Sequence, residues 1–149
     1  MTYDIQLQLP GDWHKELETY LDESGAEISH LEAHLYNDGA DRDDGMIDIY
    51  VGEMPEDISA EDQALSNYAD IVGFDDDDPE DFNPIVKLRF NGRNAWGFDA
   101  YQENDFPMRL ISQEVRSGAL AIIVFSAPDR DALVELHLLI ERTFRVKVR

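Results

Sequence analysis

The chain has 149 residues, no cysteine, and a formal net charge of -21 from 33 acidic against 12 Lys and Arg residues. That length suits one domain, residues 1–149, whose core needs no covalent staple, and the missing thiols exclude disulfides and thiolate chemistry. So acidic a chain repels nucleic acid and anionic membranes and attracts cationic partners.

Taken in order, Tyr3, Ile5, Leu7 and Leu9 alternate with polar residues, the period of a half-buried strand that Pro10-Gly11 ends. Asp12 can cap a helix from Asp12 to Ser24, because Trp13, Leu17, Tyr20 and Leu21 fall on one helical stripe and Gly25 supplies a stop. Trp13 would anchor its start in the core. From Ala26 to Tyr36 the alternation of Leu31, Ala33 and Leu35 with His30, Glu32 and His34 favours a strand. The polar loop Asn37 to Gly45 then joins it to the strand Met46 to Val51 as an antiparallel hairpin. Ser59 with Asp62 reads as a capping box for a helix to about Ile71, closed by Gly73.

Phe74 to Pro84 holds four consecutive carboxylates, Asp75 to Asp78, which repel one another and stay in water. Four strands follow in quick succession, Ile85 to Phe90, Ala95 to Tyr101, Met108 to Val115 and Ala119 to Phe125. Their turns, at Asn91-Gly92, Asn104-Asp105 and Ser117-Gly118, are short enough for an antiparallel meander. Trp96 and Phe98 share one face and would pack under a helix. The seven apolar residues Ala119 to Phe125 leave no room for polar alternation, so this strand should lie centrally with both faces covered. After the corner Ser126 to Asp129, a helix to about Thr143 turns Leu133, Leu136 and Ile140 back onto the sheet. Ser126 reads as a helix-start residue and His137 as a half-buried helix residue. The expected class is α+β in the order βαββαββββα.

The Leu9-Pro10-Gly11-Asp12-Trp13 start, Gly92 with Ala95-Trp96-Gly97-Phe98, Val115 and Gly118 with Ile122 to Pro128, and the close at Ile140 with Thr143-Phe144 resemble the PsbP-like family. The resemblance rests on hydrophobic pattern and small turn residues over most of the chain. It implies an antiparallel sheet sandwiched between helices and a non-catalytic protein that binds another protein; it carries over no functional residue.

Charge is divided unevenly. Residues 1–82 hold 25 acids against Lys15 and Arg42, and residues 83–149 hold 8 acids against 10 bases. Calcium loops need oxygen ligands at fixed positions before an invariant glycine, and with Gly45 in that place Arg42 and Ala40 occupy ligand positions, so the register fails. On a strand His30 and His34 share a face with Glu32 but stand about 13 Å apart, too far to chelate one ion, although either can pair with Glu32. They read as surface residues on a wet sheet face. Nucleophile-elbow, phosphate-loop and dinucleotide signatures do not occur. The expectation is a cytoplasmic, non-catalytic interaction domain with no cofactor and no metal. It would bind a basic protein, as an adaptor, chaperone or immunity-type inhibitor does, through Asp41, Asp43, Asp44, Asp75, Asp76, Asp77 and Asp78. The alternative is a small-molecule or cation-binding module with a pocket between sheet and helix. The start of the chain lacks a basic segment before an apolar one, so no signal peptide is expected.

Overall fold

The computed structural model describes residues 2–36, 43–103, 105–116 and 118–148. The elements run β1 (Tyr3–Gln6), β2 (Trp13–Leu21), β3 (Glu27–Tyr36), β4 (Asp43–Glu53), α1 (Ala60–Ile71), β5 (Val86–Phe90), β6 (Arg93–Tyr101), β7 (Pro107–Arg116), β8 (Ala119–Ser126), α2 (Arg130–Thr143) and β9 (Arg145–Val148). Seven strands form one sheet in the order β2-β3-β4-β8-β7-β6-β5, and β1 pairs with β9 in a separate ribbon. The antiparallel hairpin β3–β4 and the meander β5 to β8 match the alternation and short turns that predict them.

The central place expected of Ala119 to Phe125 is also found, since β8 is the fourth strand of seven and pairs with β4 and β7; the expected cover on both faces is not, because Ile122 and Val124 are half-exposed. One face of the sheet carries Leu31, Ile47, Ile49, Ile123 and Phe125, all buried against Leu133, Leu136 and Ile140 of α2 and against Tyr3 and Ile5 of β1. The backbone N–H of Tyr3 donates to Ser29 Oγ at 3.1 Å and so ties the ribbon to the sheet. On the other face α1 lies over β6 and β7, where Ser112 Oγ donates to the Ala60 carbonyl at 2.8 Å and Tyr68 meets Phe98 edge-on at 5.2 Å. Ser59 and Asp62 close α1 in the expected capping box, and Asp129 caps α2 through the Ala132 N–H. Ser126, expected to start that helix, is instead the buried last residue of β8.

The fold departs from expectation in three further respects. Asp12 to Ser24 is not a helix: residues Trp13 to Leu21 pair with β3 along their whole length. The helical stripe of Trp13, Leu17, Tyr20 and Leu21 would bury one side of a free-standing helix. As a strand the segment satisfies the backbone of β3, and Trp13 and Leu17 still reach the core opposite Leu35 and Leu31. A marginal isolated helix loses to that ladder. Gly25, at φ +87°, serves a hairpin turn in which the Asp22 carboxylate accepts from the N–H groups of Ser24 and Ala26. Second, β9 was absent from the expected order; Arg145–Val148 gains its partner only when the chain end meets β1. Third, the covering layers differ from a sheet enclosed by helices. The face under α2 is shared with the β1–β9 ribbon, and α1 reaches only the β6–β7 part of the other face, leaving β2, β3 and β4 open there.

Close approach holds Gly97 more firmly than Gly45. A Cβ on Gly97 would lie 2.3 Å from the Leu110 carbonyl oxygen, a backbone atom that cannot yield without opening the β6–β7 ladder. At Gly45 the same atom would stand 2.7 Å from the rim of the Trp13 indole, a side chain that can swing aside. Gly97→Ala is therefore expected to destabilise the protein by roughly 1–3 kcal/mol or more, and Gly45→Ala by less. Urea denaturation of the two variants checks this, and equal midpoints would contradict it.

Candidate functional site

The acidic residues singled out in the sequence do not form one cluster. Asp41 lies outside the described residues. Asp43 and Asp44 belong to the first residues of β4 rather than to a loop, Asp43 standing opposite Tyr36 in the register. Asp75 to Asp78 follow α1 in a turn closed by the Asp78 N–H on the Asp75 carbonyl and by the Asp75 N–H on the Asp78 carboxylate. This turn is held by its flanking aromatic residues: Phe74 packs on Tyr68 at 5.5 Å and Phe82 meets Phe74 at 6.4 Å. The neighbouring carboxylates remain in solvent, as like charges on adjacent residues require.

Asp44 stands at a groove. Between the corner of β2, β3 and β4 and the start of α2 is a cleft of about 360 Å³. Its walls are apolar, with Trp13, Leu35, Pro128, Leu136 and Leu139, and Asp44 and Glu135 supply the charge at its margin. Gly45 leaves room for the indole that forms one wall. The sequence points to Trp13 and Asp44 separately. Only the strand conformation of β2 and the return of α2 across the sheet bring them to one place.

A second constellation occupies the open face of β2, β3 and β4. The register sets Glu16 opposite Glu32 and Glu32 opposite Asp48, so three carboxylates stand abreast on adjacent strands. Like charges so placed repel, and among the described residues none of the three has a lysine or arginine partner. His30, one row away, is buried rather than exposed. Its Nε2 lies 2.8 Å from Asp48 Oδ1, its Nδ1 lies 3.3 Å from Glu18 Oε1, and its ring stacks on Tyr50 at 4.3 Å. Burial, with Asp48 second, pushes the Tyr50 phenol up to about 12, so this ring stays neutral beside the carboxylates. His34 pairs with Glu32, as the spacing allows. His30 takes its partners from other strands, Glu18 and Asp48, which local spacing could not reveal.

The third polar group lies toward the other edge. Asp99 accepts two hydrogen bonds from Arg109, at 2.7 and 2.9 Å, and one from Arg130 at 2.9 Å. Burial raises the Asp99 pKa, but both guanidinium groups outweigh it and leave the carboxyl below its ordinary value. A 390 Å³ pocket beside it is lined by Tyr68, Val86, Leu88 and Phe98 as well as Asp99 and Arg109. Asp99, bound to two arginines, is poorly placed to take up a proton there. Arg109 Nη1 also lies 3.1 Å from Nδ1 of His137, whose ring meets Phe90 and Phe125 edge-on. A guanidinium only donates, so Nδ1 accepts and the imidazole proton resides on Nε2.

No family model, curated protein or solved structure matches the chain. Functional assignment therefore rests on these three arrangements. No helix among the described residues is long and apolar enough to cross a membrane.

The setting of His137 has a measurable consequence. Burial, and then the Arg109 charge, holds its pKa below the ordinary 6.5. A depressed folded pKa means that the unfolded chain binds the proton first, so this contribution to stability is complete above about pH 6.5 and is lost as pH falls toward the folded value. His137→Gln keeps an acceptor for Arg109 and removes the titration. Urea midpoints from pH 7.5 to pH 5 are expected to fall in the parent relative to the variant; a difference independent of pH would contradict the assignment.

Proposed function

We propose that the protein is a non-catalytic interaction domain that binds a basic, amphipathic segment of a protein partner in the groove between β2–β4 and α2. The observation that carries this reading is the coincidence of an apolar cleft with acidic margins: Trp13, Leu35, Leu136 and Leu139 offer an anchor site, and Asp44 and Glu135 face its rim. An apolar anchor with a polar rim is the usual anatomy of a segment-binding site. Lysines and arginines flanking an apolar side chain complement it in charge. The net charge of residues 1–82, 25 acids against two bases, adds a longer-range field that steers a cationic partner. Asp41, Asp43 and Asp75 to Asp78 contribute to that field, with less specificity than the groove. The PsbP-like resemblance points in the same direction. Neither nucleic acid nor an anionic membrane suits such a surface, and a soluble cytoplasmic protein is the setting that fits it.

Trp13 reports directly on occupancy. In a Trp96→Phe background, titration with a Lys- and Arg-rich amphipathic peptide is expected to shift the Trp13 emission, with affinity falling as ionic strength rises. Reversing both rim charges, Asp44→Lys with Glu135→Lys, is expected to weaken binding about tenfold, or about 1.4 kcal/mol. Absence of binding at low ionic strength, or binding indifferent to both charge reversals, would refute the proposal.

A further inference from the structure

The open face of β2, β3 and β4 carries a donor set that the groove does not use. Three carboxylates stand abreast, Glu16, Glu32 and Asp48, with no lysine or arginine among the described residues to offset them. Beside them His30 is oriented as a ligand is oriented, with its ring fixed by stacking on Tyr50 and by Glu18 on Nδ1, while Nε2 points at Asp48. Metal-binding histidines commonly give their second nitrogen to a carboxylate in this way, which sets the tautomer and the ring plane. One donor atom each from His30, Glu32 and Asp48 lies within 4.8 Å of the others.

We propose that His30, Glu32 and Asp48 form a binding site for a divalent transition-metal cation, of the zinc or cobalt type. Bonds of roughly 2.0–2.2 Å in tetrahedral geometry set two ligands of one ion about 3.3–3.6 Å apart. Glu32, half-exposed and paired with His34, swings inward by about an ångström to reach that spacing. The ion replaces the hydrogen between Nε2 of His30 and Asp48, leaves Glu18 on Nδ1, and relieves the repulsion within the carboxylate row. An imidazole with two carboxylates selects zinc or cobalt over calcium and magnesium, which prefer oxygen-only shells. Three protein ligands on an open sheet face leave at least one position to water, a different arrangement from a closed structural site. The site is independent of the groove, because its residues lie on the opposite face of the sheet from Trp13 and Leu35.

The test uses the full chain in metal-free buffer at physiological ionic strength. Calorimetric titration with Zn²⁺ is expected to give one ion per chain, and Co²⁺ a visible absorption band of nitrogen-containing low-symmetry coordination. Asp48→Asn and Glu32→Gln are expected to lower Zn²⁺ affinity about tenfold to a hundredfold, while Asp76→Asn with Asp77→Asn in the solvated turn leaves it unchanged. His30→Gln removes the nitrogen donor and the cobalt band; since His30 is buried, circular dichroism confirms its fold, and the two carboxylate variants decide the matter if it unfolds. Failure to bind Zn²⁺, affinity insensitive to Asp48 and Glu32, or equal binding of Mg²⁺ would each overturn the proposal, the last by showing only diffuse attraction to an acidic surface.

Discussion

The pairing of β8 with β4 on one side and β7 on the other joins two units that local sequence builds separately, the acidic hairpin layer β2-β3-β4 and the meander β5-β6-β7. β8 is apolar on both faces, and the face bearing Ile123 and Phe125 is fully covered. Three residues, 127–129, separate it from α2, so the helix turns straight back and buries Leu133 and Ile140 on Ile123 and Phe125. On the opposite face α1 docks over β6 and β7, through Tyr68 on Phe98 and through the Ser112 hydroxyl, and Ile122 and Val124 of β8 stay half-exposed there. Beyond the reach of α1 the sheet stays open to water, and polar residues can occupy that part of it without the cost of burial.

This topology turns a division of charge along the chain into a division in space. The strands at the β2 edge bring the carboxylates of Glu16, Glu18, Glu32 and Asp48 onto one open face, whereas the β5 edge carries Lys87 and Arg89. Two histidines show how strongly position in the sheet decides chemistry. His30 sits between two carboxylates and against a tyrosine ring. His137 sits between two phenylalanine rings with an arginine on Nδ1, an environment that keeps the imidazole neutral.

The groove and the carboxylate row each depend on β2 being a strand. A helix from Asp12 to Ser24 would have put Trp13 and Tyr20 on one stripe and scattered the glutamates on the other side. As a strand, the segment sends Trp13 and Leu17 to the core face and Glu16 and Glu18 to the open one. The apolar spacing there fits both periods, so local pattern could not choose. The exposed backbone of β3 did choose, because an edge left unpaired forfeits a row of hydrogen bonds.

The residues by themselves determined the hairpin β3–β4, the meander, the central strand, both helices and the capping box of α1, since each follows from a period, a turn residue or a capping side chain within a few positions; the cap of α2, expected at Ser126, falls instead on Asp129. They also determined that His30, Glu32 and His34 would share a face. Tertiary structure alone decided that β2 joins the sheet, that Arg145–Val148 pairs with β1, and that Asp48 and Glu18 reach His30. Those outcomes are settled by pairing between segments distant in the chain, where the gain is a backbone ladder or a cross-strand contact, and no short stretch of sequence carries the identity of its partner strand.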